Sequence, residues 1–289
     1  MTVLDGSLAM CKPELCPAMV SGLVENPRER RGYRRIIRGK TTELRKGPEQ
    51  ISLNYDFTCD LKCPSCRNHI EVLPEERKNH LILFQKELLE SEVFRQVRRL
   101  TVSGAGEALA SDVFLDLFAR ISRRRFPKLR ITLRSNGLLL TREKWRELAN
   151  IQYAVDTISV SLDAATEATY ERLRQKGVFP TILKNLTDFS FPSSKQSLKL
   201  NFVVQEANFR EMPAFVQLAR RLGATTVAFT RLLHTDAIPE NTFNAMAIHL
   251  PTHPRHRELL AILGNPIFSD PIVQFRNLSH LRIKAEAGH

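Results

Sequence analysis

No apolar run in this 289-residue sequence approaches the roughly 18–20 residues that cross a bilayer, so no membrane span is expected. The opening stretch, MTVLDGSLAMCKPELCP, lacks a basic region followed by an apolar one and does not read as a secretory signal. Cysteine is scarce and uneven: Cys11, Cys16, Cys59, Cys63 and Cys66, with none beyond. An odd number with three thiols packed close together suits metal ligation in a reducing compartment better than a disulfide framework. The expected setting is cytoplasmic. Carboxylates are also in deficit, 31 Asp and Glu against 43 Lys and Arg, for a net charge of +12. Nine of the cations and only two Glu lie between Pro27 and Gly47. Such a tract can hold an acidic peptide, nucleic acid or an anionic cofactor, or simply be a solvated surface. No aromatic-interleaved RNA-binding signature accompanies it, so nucleic acid is a permitted but less favoured partner.

What is present is ordinary globular material, 43% apolar and 26% charged, long enough for one large domain with appendages. Four zones differ in pattern: 1–26, with two cysteines; 27–48, basic; 49–233, alternating strand-like and helix-like; and 234–289, richer in Pro and His and less regular. The middle zone offers six strands: Gln50–Tyr55, Arg98–Ser103, Leu129–Ser135, Thr157–Leu162, Leu198–Val204 and Thr225–Thr230. Helix-period stretches separate several of them: Ser111–Arg124, Arg142–Ala149, Glu167–Arg174 with Thr166 as N-cap, and Phe209–Leu222. Strands alternating with helices imply right-handed crossovers and a parallel α/β sheet, either a partial barrel or an open doubly wound sheet. In both, ligands gather at the strand C-termini.

The first strand runs into Cys59-Asp60-Leu61-Lys62-Cys63-Pro64-Ser65-Cys66, a C-x3-C-x2-C spacing. Three thiolates from one short loop can each reach a different iron of a cubane and leave the fourth iron open. A structural zinc site wants four closed ligands, for which His69 is the available fourth; inert thiols are the remaining alternative.

This spacing after a first strand resembles the radical SAM superfamily. The resemblance covers residues 49 to about 233 and implies a partial (βα)6 TIM-like barrel with irregular N- and C-terminal extensions. It implies a [4Fe–4S] cluster on Cys59, Cys63 and Cys66, whose open iron chelates S-adenosylmethionine (SAM). Reductive cleavage of SAM would then give a 5′-deoxyadenosyl radical that abstracts hydrogen from a substrate. Ser65 departs from the family, which often carries an aromatic residue there beside the adenine; Phe57 is the substitute this reading offers. Gly104-Ala105-Gly106-Glu107 is similar to the family's Gly-Gly-Glu segment, which binds the SAM amino group. Ser135-Asn136-Gly137 resembles a SAM-facing turn at the third strand's end. Ser161, Asp163 and Arg174, with Ser159 on the same alternating face, match the fourth-strand segment near ribose and carboxylate. Glu107 and Arg174 are the residues assigned catalytic roles. Asn201 is expected to face inward beside Val203; Arg231 and His234 follow the sixth strand, where the family approaches adenine and substrate. His249, His253 and His256 read as loop residues rather than metal ligands. Asp5-Gly6-Ser7, Cys11 and Cys16-Pro17 resemble the tail of a SPASM segment without enough cysteines for an auxiliary cluster.

The implied partners are a peptide or small-molecule (carbohydrate-type) substrate and an electron donor such as flavodoxin or ferredoxin. An RNA-modifying enzyme of the same kind, or a non-catalytic iron–sulfur partner protein, are the competing readings.

Overall fold

The computed structural model describes residues 38–40, 47–67, 69–103, 105–189, 196–235 and 237–286. The SPASM-like residues and nearly all of the basic tract lie outside the described residues, as does Gly104.

Seven strands form one sheet: β1 (Gln50–Leu53), β2 (Arg99–Val102), β3 (Arg130–Ser135), β4 (Val155–Ser161), β5 (Ser197–Val204), β6 (Thr226–Arg231) and β7 (Val273–Phe275). Every pairing is parallel and the strands lie in sequence order. That order settles the architecture. A doubly wound sheet reverses strand order at a switch point and so covers both faces with helices. An unreversed series of right-handed crossovers puts the helices on one face and curls the other into a trough. No pairing joins β1 to β7 among the described residues, so the barrel is partial and open.

Six strands fall where alternation placed them, within two residues at each end. The seventh lies in the zone expected to be irregular, residues 234–286, which also holds three helices, α8 (Glu240–Met246), α9 (His256–Leu263) and α10 (Ser279–Glu286). Only three residues long, β7 shows no alternation of its own; it is a strand because β6 offers it a free edge. Two histidines of this zone meet backbone carbonyls, His253 Nε2 at 3.1 Å from Ala245 O and His256 Nδ1 at 3.1 Å from Ile248 O, and His256, expected in a loop, opens α9. Burial pushes the His249 imidazole down to about 4.

The helices of the first six units are α1 (Glu75–Glu90), α2 (Glu92–Arg95), α3 (Asp112–Arg120), α4 (Arg142–Glu147), α5 (Glu167–Leu173), α6 (Phe179–Asp188) and α7 (Met212–Arg221). Ser111 caps α3, its hydroxyl accepting from Phe114 N at 3.0 Å, and Thr141 caps α4 in the same way at 3.1 Å. Thr166 occupies the N-cap position of α5 but makes no side-chain cap bond; its hydroxyl donates instead to Glu211 Oε1 at 2.7 Å.

Strand β5 shows how sequence divides the two faces. Leu198, Leu200, Phe202 and Val204 are buried toward the helices, while Ser197, Lys199, Asn201 and Val203 are partly exposed on the concave side. The buried face packs against Phe215 and Val216 of α7 and joins an aromatic group of Phe202, Phe215, Phe229, Phe268 and Phe275. The core therefore lies between sheet and helices, leaving the concave face to polar side chains.

Candidate active site

A cavity of about 570 Å³ opens at the C-terminal ends of the strands. Cys59, Cys63 and Cys66 line one side, with Arg67, Ala105, Gly106, Glu107, Ser135 and Asn136 beside them. Ser159, Ser161, Arg174 and Asn201 extend the wall, and Arg134, Lys199, Thr230 and Arg276 complete it.

The cysteine loop is pinned on several sides. Cys59 N donates to Glu71 O at 3.1 Å, Lys62 N to Gln175 O at 3.1 Å, and Cys66 N to Cys63 O at 2.9 Å. Glu107 N donates to Thr58 O at 2.8 Å, tying the loop to the end of β2. A Cβ on Gly106 would lie 2.5 Å from the Thr58 carbonyl and 2.7 Å from that of Asp56, so only glycine permits this approach. Below the loop, buried Asp56 accepts from Ser111 Oγ at 2.5 Å and from Thr58 N at 2.8 Å.

The three thiols are unbridged: Cys59 is half-buried, Cys63 buried and Cys66 exposed. Burial pushes the Cys59 thiol up to about 11 and raises that of Cys63. Two arginines oppose this. Arg174 Nη1 approaches Cys63 Sγ at 3.7 Å, and Arg67 Nη2 approaches Cys66 Sγ at 3.5 Å. Arg67 also donates to the carbonyls of Phe57 and Ala105, clamping the loop to the β2 end. Among the described residues no three His, Cys, Asp or Glu side chains converge on a point that one metal ion would fill. A cubane makes no such demand, since each thiolate binds a different iron. His69 Nε2 pairs with Glu71 Oε2 at 2.7 Å on an exposed surface and is not drawn toward the thiols. The donor set therefore fits a three-cysteine cluster better than a closed zinc site.

Glu107 is buried at the end of β2. Its Oε1 accepts from Leu109 N at 3.0 Å and Ser135 Oγ at 2.9 Å, and its Oε2 from Asn136 N at 2.5 Å. Burial outweighs these bonds and pushes the carboxyl up to about 7. A carboxylate has about four lone-pair sites, so capacity remains for an ammonium group. Asn136 Nδ2 reaches back to Asp60 Oδ1 at 2.6 Å, linking the β3 turn to the cysteine loop.

Alternation along β4 holds for Ser159 and Ser161, both on the cavity wall, but not for Asp163. At φ +61° the backbone there turns left-handed. The carboxylate meets Arg174 Nη2 at 2.5 Å and Val203 N at 2.8 Å and is not part of the wall. Arg174, not Arg172, reaches the site; Arg172 donates to Ala207 O at 2.7 Å. Asn201 Nδ2 donates to Ser159 Oγ at 2.8 Å. Phe57 is half-exposed and does not line the cavity, nor do Arg231 and His234. Arg231 N donates to Asn277 Oδ1 at 2.9 Å and His234 Nε2 lies 3.0 Å from Ile238 O. Sequence reasoning missed Arg67, Arg134, Lys199, Thr230 and Arg276. For Lys199 the signal was present, as a cation on the polar face of an alternating strand.

The radical SAM superfamily model matches residues 55–190. A tungsten-containing aldehyde ferredoxin oxidoreductase cofactor-modifying protein from Pyrococcus furiosus is 28% identical over 190 residues, covering 63% of this chain and 51% of its own length. A probable GTP 3′,8-cyclase from Methanococcus maripaludis is 26% identical over 185 residues, covering 63% of this chain and 59% of its own. The chain thus spans about half to three-fifths of the length of these relatives. The crystal structure of Streptococcus suis SuiB superposes with a TM-score of 0.54 at 16% identity, over 85% of this chain and 52% of SuiB, which shows a common fold. Motif, open parallel barrel and family match agree on a radical SAM domain over residues 55–190.

Proposed function

We propose that this chain is a radical SAM enzyme, with residues 49–233 as its SAM-cleaving core. The observation that carries this reading is a set of three unbridged thiols on one pinned loop, facing a cavity walled by strand ends. Cys59, Cys63 and Cys66 would hold a [4Fe–4S] cluster. When bound, the cluster and SAM supply one-electron reductive cleavage of a sulfonium and hydrogen abstraction. The protein's part is positioning. Glu107 accepts the ammonium of SAM while its other bonds fix the β2 and β3 ends. Asn136 keeps the turn registered on the cysteine loop, and Ser159, Ser161 and Asn201 offer hydroxyl and amide groups to the ribose. Asp163 holds Arg174 against Cys63.

Two relatives act on small molecules by name, a cofactor-modifying protein and a GTP cyclase. We carry that broad class over: a carbohydrate-type or other small molecule, or one residue of a peptide, enters beside SAM. A cavity of about 570 Å³ is of the size that small-molecule sites have. A flavodoxin or ferredoxin is the expected electron donor.

Anaerobic reconstitution with iron and sulfide, followed by SAM and a strong reductant, tests this. Iron–sulfur absorbance and 5′-deoxyadenosine are expected. An intact cluster without 5′-deoxyadenosine would make the chain a non-catalytic iron–sulfur protein; tight zinc without iron-linked absorbance would overturn the cluster itself.

A further inference from the structure

The wall of the cavity is electrostatically lopsided. Five cations line it, Arg67, Arg134, Arg174, Lys199 and Arg276, against one carboxylate, Glu107. Arg67 and Arg174 are engaged with the cysteine loop and Asp163. The other three make no ion pair among the described residues.

Their placement follows from the register. Arg134 of β3 pairs with Ser159 of β4, which pairs with Lys199 of β5, so the three lie in one row across the trough. At about 4.8 Å per strand, Arg134 and Lys199 are roughly 10 Å apart at the backbone. Arg276 follows β7, its N–H donating to Phe229 O at 3.1 Å, which sets it beyond β6 on the same side. Thr230 stands on the wall between. Burial, and after it the charges of Arg276 and Arg134, push the ammonium of Lys199 down to about 8.

Three like charges lining one cavity, none of them in an ion pair among the described residues, are a standing cost to the fold, and a dianion would relieve it. A lone carboxylate needs only one bidentate arginine, whereas three convergent cations match a group with two or more negative charges. Resting on the radical SAM reading of the cysteine loop, we infer that Arg134, Lys199 and Arg276 form a phosphoryl-binding subsite, and that the substrate is a phosphorylated small molecule. Its phosphoryl group is held among Arg134 of β3, Lys199 of β5 and Arg276 after β7. The rest of the molecule then extends toward the SAM side, where hydrogen would be abstracted.

Inorganic pyrophosphate is the probe, titrated calorimetrically into the reconstituted full chain with SAM present. Saturable one-to-one binding is expected, weakened at least tenfold in Lys199→Met and in Arg276→Gln, with succinate binding at least tenfold more weakly than pyrophosphate. Protection of Lys199 from reductive methylation by pyrophosphate, read by mass spectrometry on the unmodified sequence, covers the case in which a variant fails to fold. No binding, equal binding of succinate, or methylation of Lys199 undiminished by pyrophosphate overturns the subsite. These readouts do not pass through SAM cleavage. Normal 5′-deoxyadenosine formation without pyrophosphate binding would sink this inference alone, whereas loss of SAM cleavage with pyrophosphate still bound would sink the enzyme reading alone.

Discussion

Arg174 joins the end of β4 to the cysteine loop: its Nη2 lies 2.5 Å from Asp163 Oδ2 while its Nη1 lies 3.7 Å from Cys63 Sγ. Both side chains of the ion pair are largely withdrawn from water, with 14% of Arg174 and 4% of Asp163 exposed. Removing one member of such a pair strands a buried charge, at a cost of about 3–5 kcal/mol. Asp163→Ala should therefore lower the urea unfolding free energy of the cluster-free protein by that order. Arg174→Lys keeps the charge but loses the fork that reaches both partners. It should unfold closer to wild type yet retain less iron after reconstitution. Wild-type stability and iron content in Arg174→Lys would show that Arg174 acts only as a charge.

Gly106 tests how tightly β2 is docked under the loop. An added methyl meets two backbone carbonyls, which cannot rotate aside as a side chain could. Gly106→Ala should lose about 1–3 kcal/mol, as overpacked sites do, and should also reduce iron uptake, because the Thr58 carbonyl must move to admit it. Thermal unfolding of the cluster-free variant and iron assay after reconstitution measure the two effects separately.

Much of this arrangement was legible in the sequence because it depends on period and spacing. Alternation along β5 placed Asn201 on the inner face, and C-x3-C-x2-C located the loop. What escaped depends on backbone turns and on partners distant in sequence. Extending the alternation of β4 to Asp163 fails because φ turns positive there and redirects the carboxylate to Arg174 and Val203 N. Phe57 was expected at the adenine, but the chain after β1 leaves the ring half-exposed and outside the cavity. Arg276 could not be foreseen, because it reaches the site only through a three-residue strand that the sheet edge recruits.

Lys199 predicts a trade between stability and binding. Its ammonium titrates near 8 in the fold instead of the usual 10.5. Between those values the unfolded chain binds the extra proton, so the wild-type fold gains stability as pH rises from about 8 to 10.5. Lys199→Met removes a half-buried charge flanked by two others and should unfold at higher urea than wild type at pH 7. That advantage should shrink toward pH 10. A variant that is less stable than wild type at pH 7 would mean that Lys199 is not electrostatically frustrated.

Glu107 gives the opposite dependence. Its carboxyl titrates near 7 in the fold against 4.5 ordinarily, so between those values the folded protein holds the extra proton and loses stability as pH rises. The shift corresponds to roughly 3 kcal/mol lost by pH 8 in the cluster-free protein. Glu107→Gln removes the titration. Its amide meets Asn136 N as donor against donor, a penalty that does not vary with pH. The stability difference, wild type minus variant, should therefore fall between pH 5 and pH 8 by about that amount in urea titrations. A cationic ligand reverses the balance by favouring the ionised carboxylate. If the SAM ammonium docks on Glu107, binding near pH 7 should release a fraction of a proton, seen calorimetrically as a heat that changes with the ionisation enthalpy of the buffer. A binding heat independent of buffer would place that ammonium elsewhere.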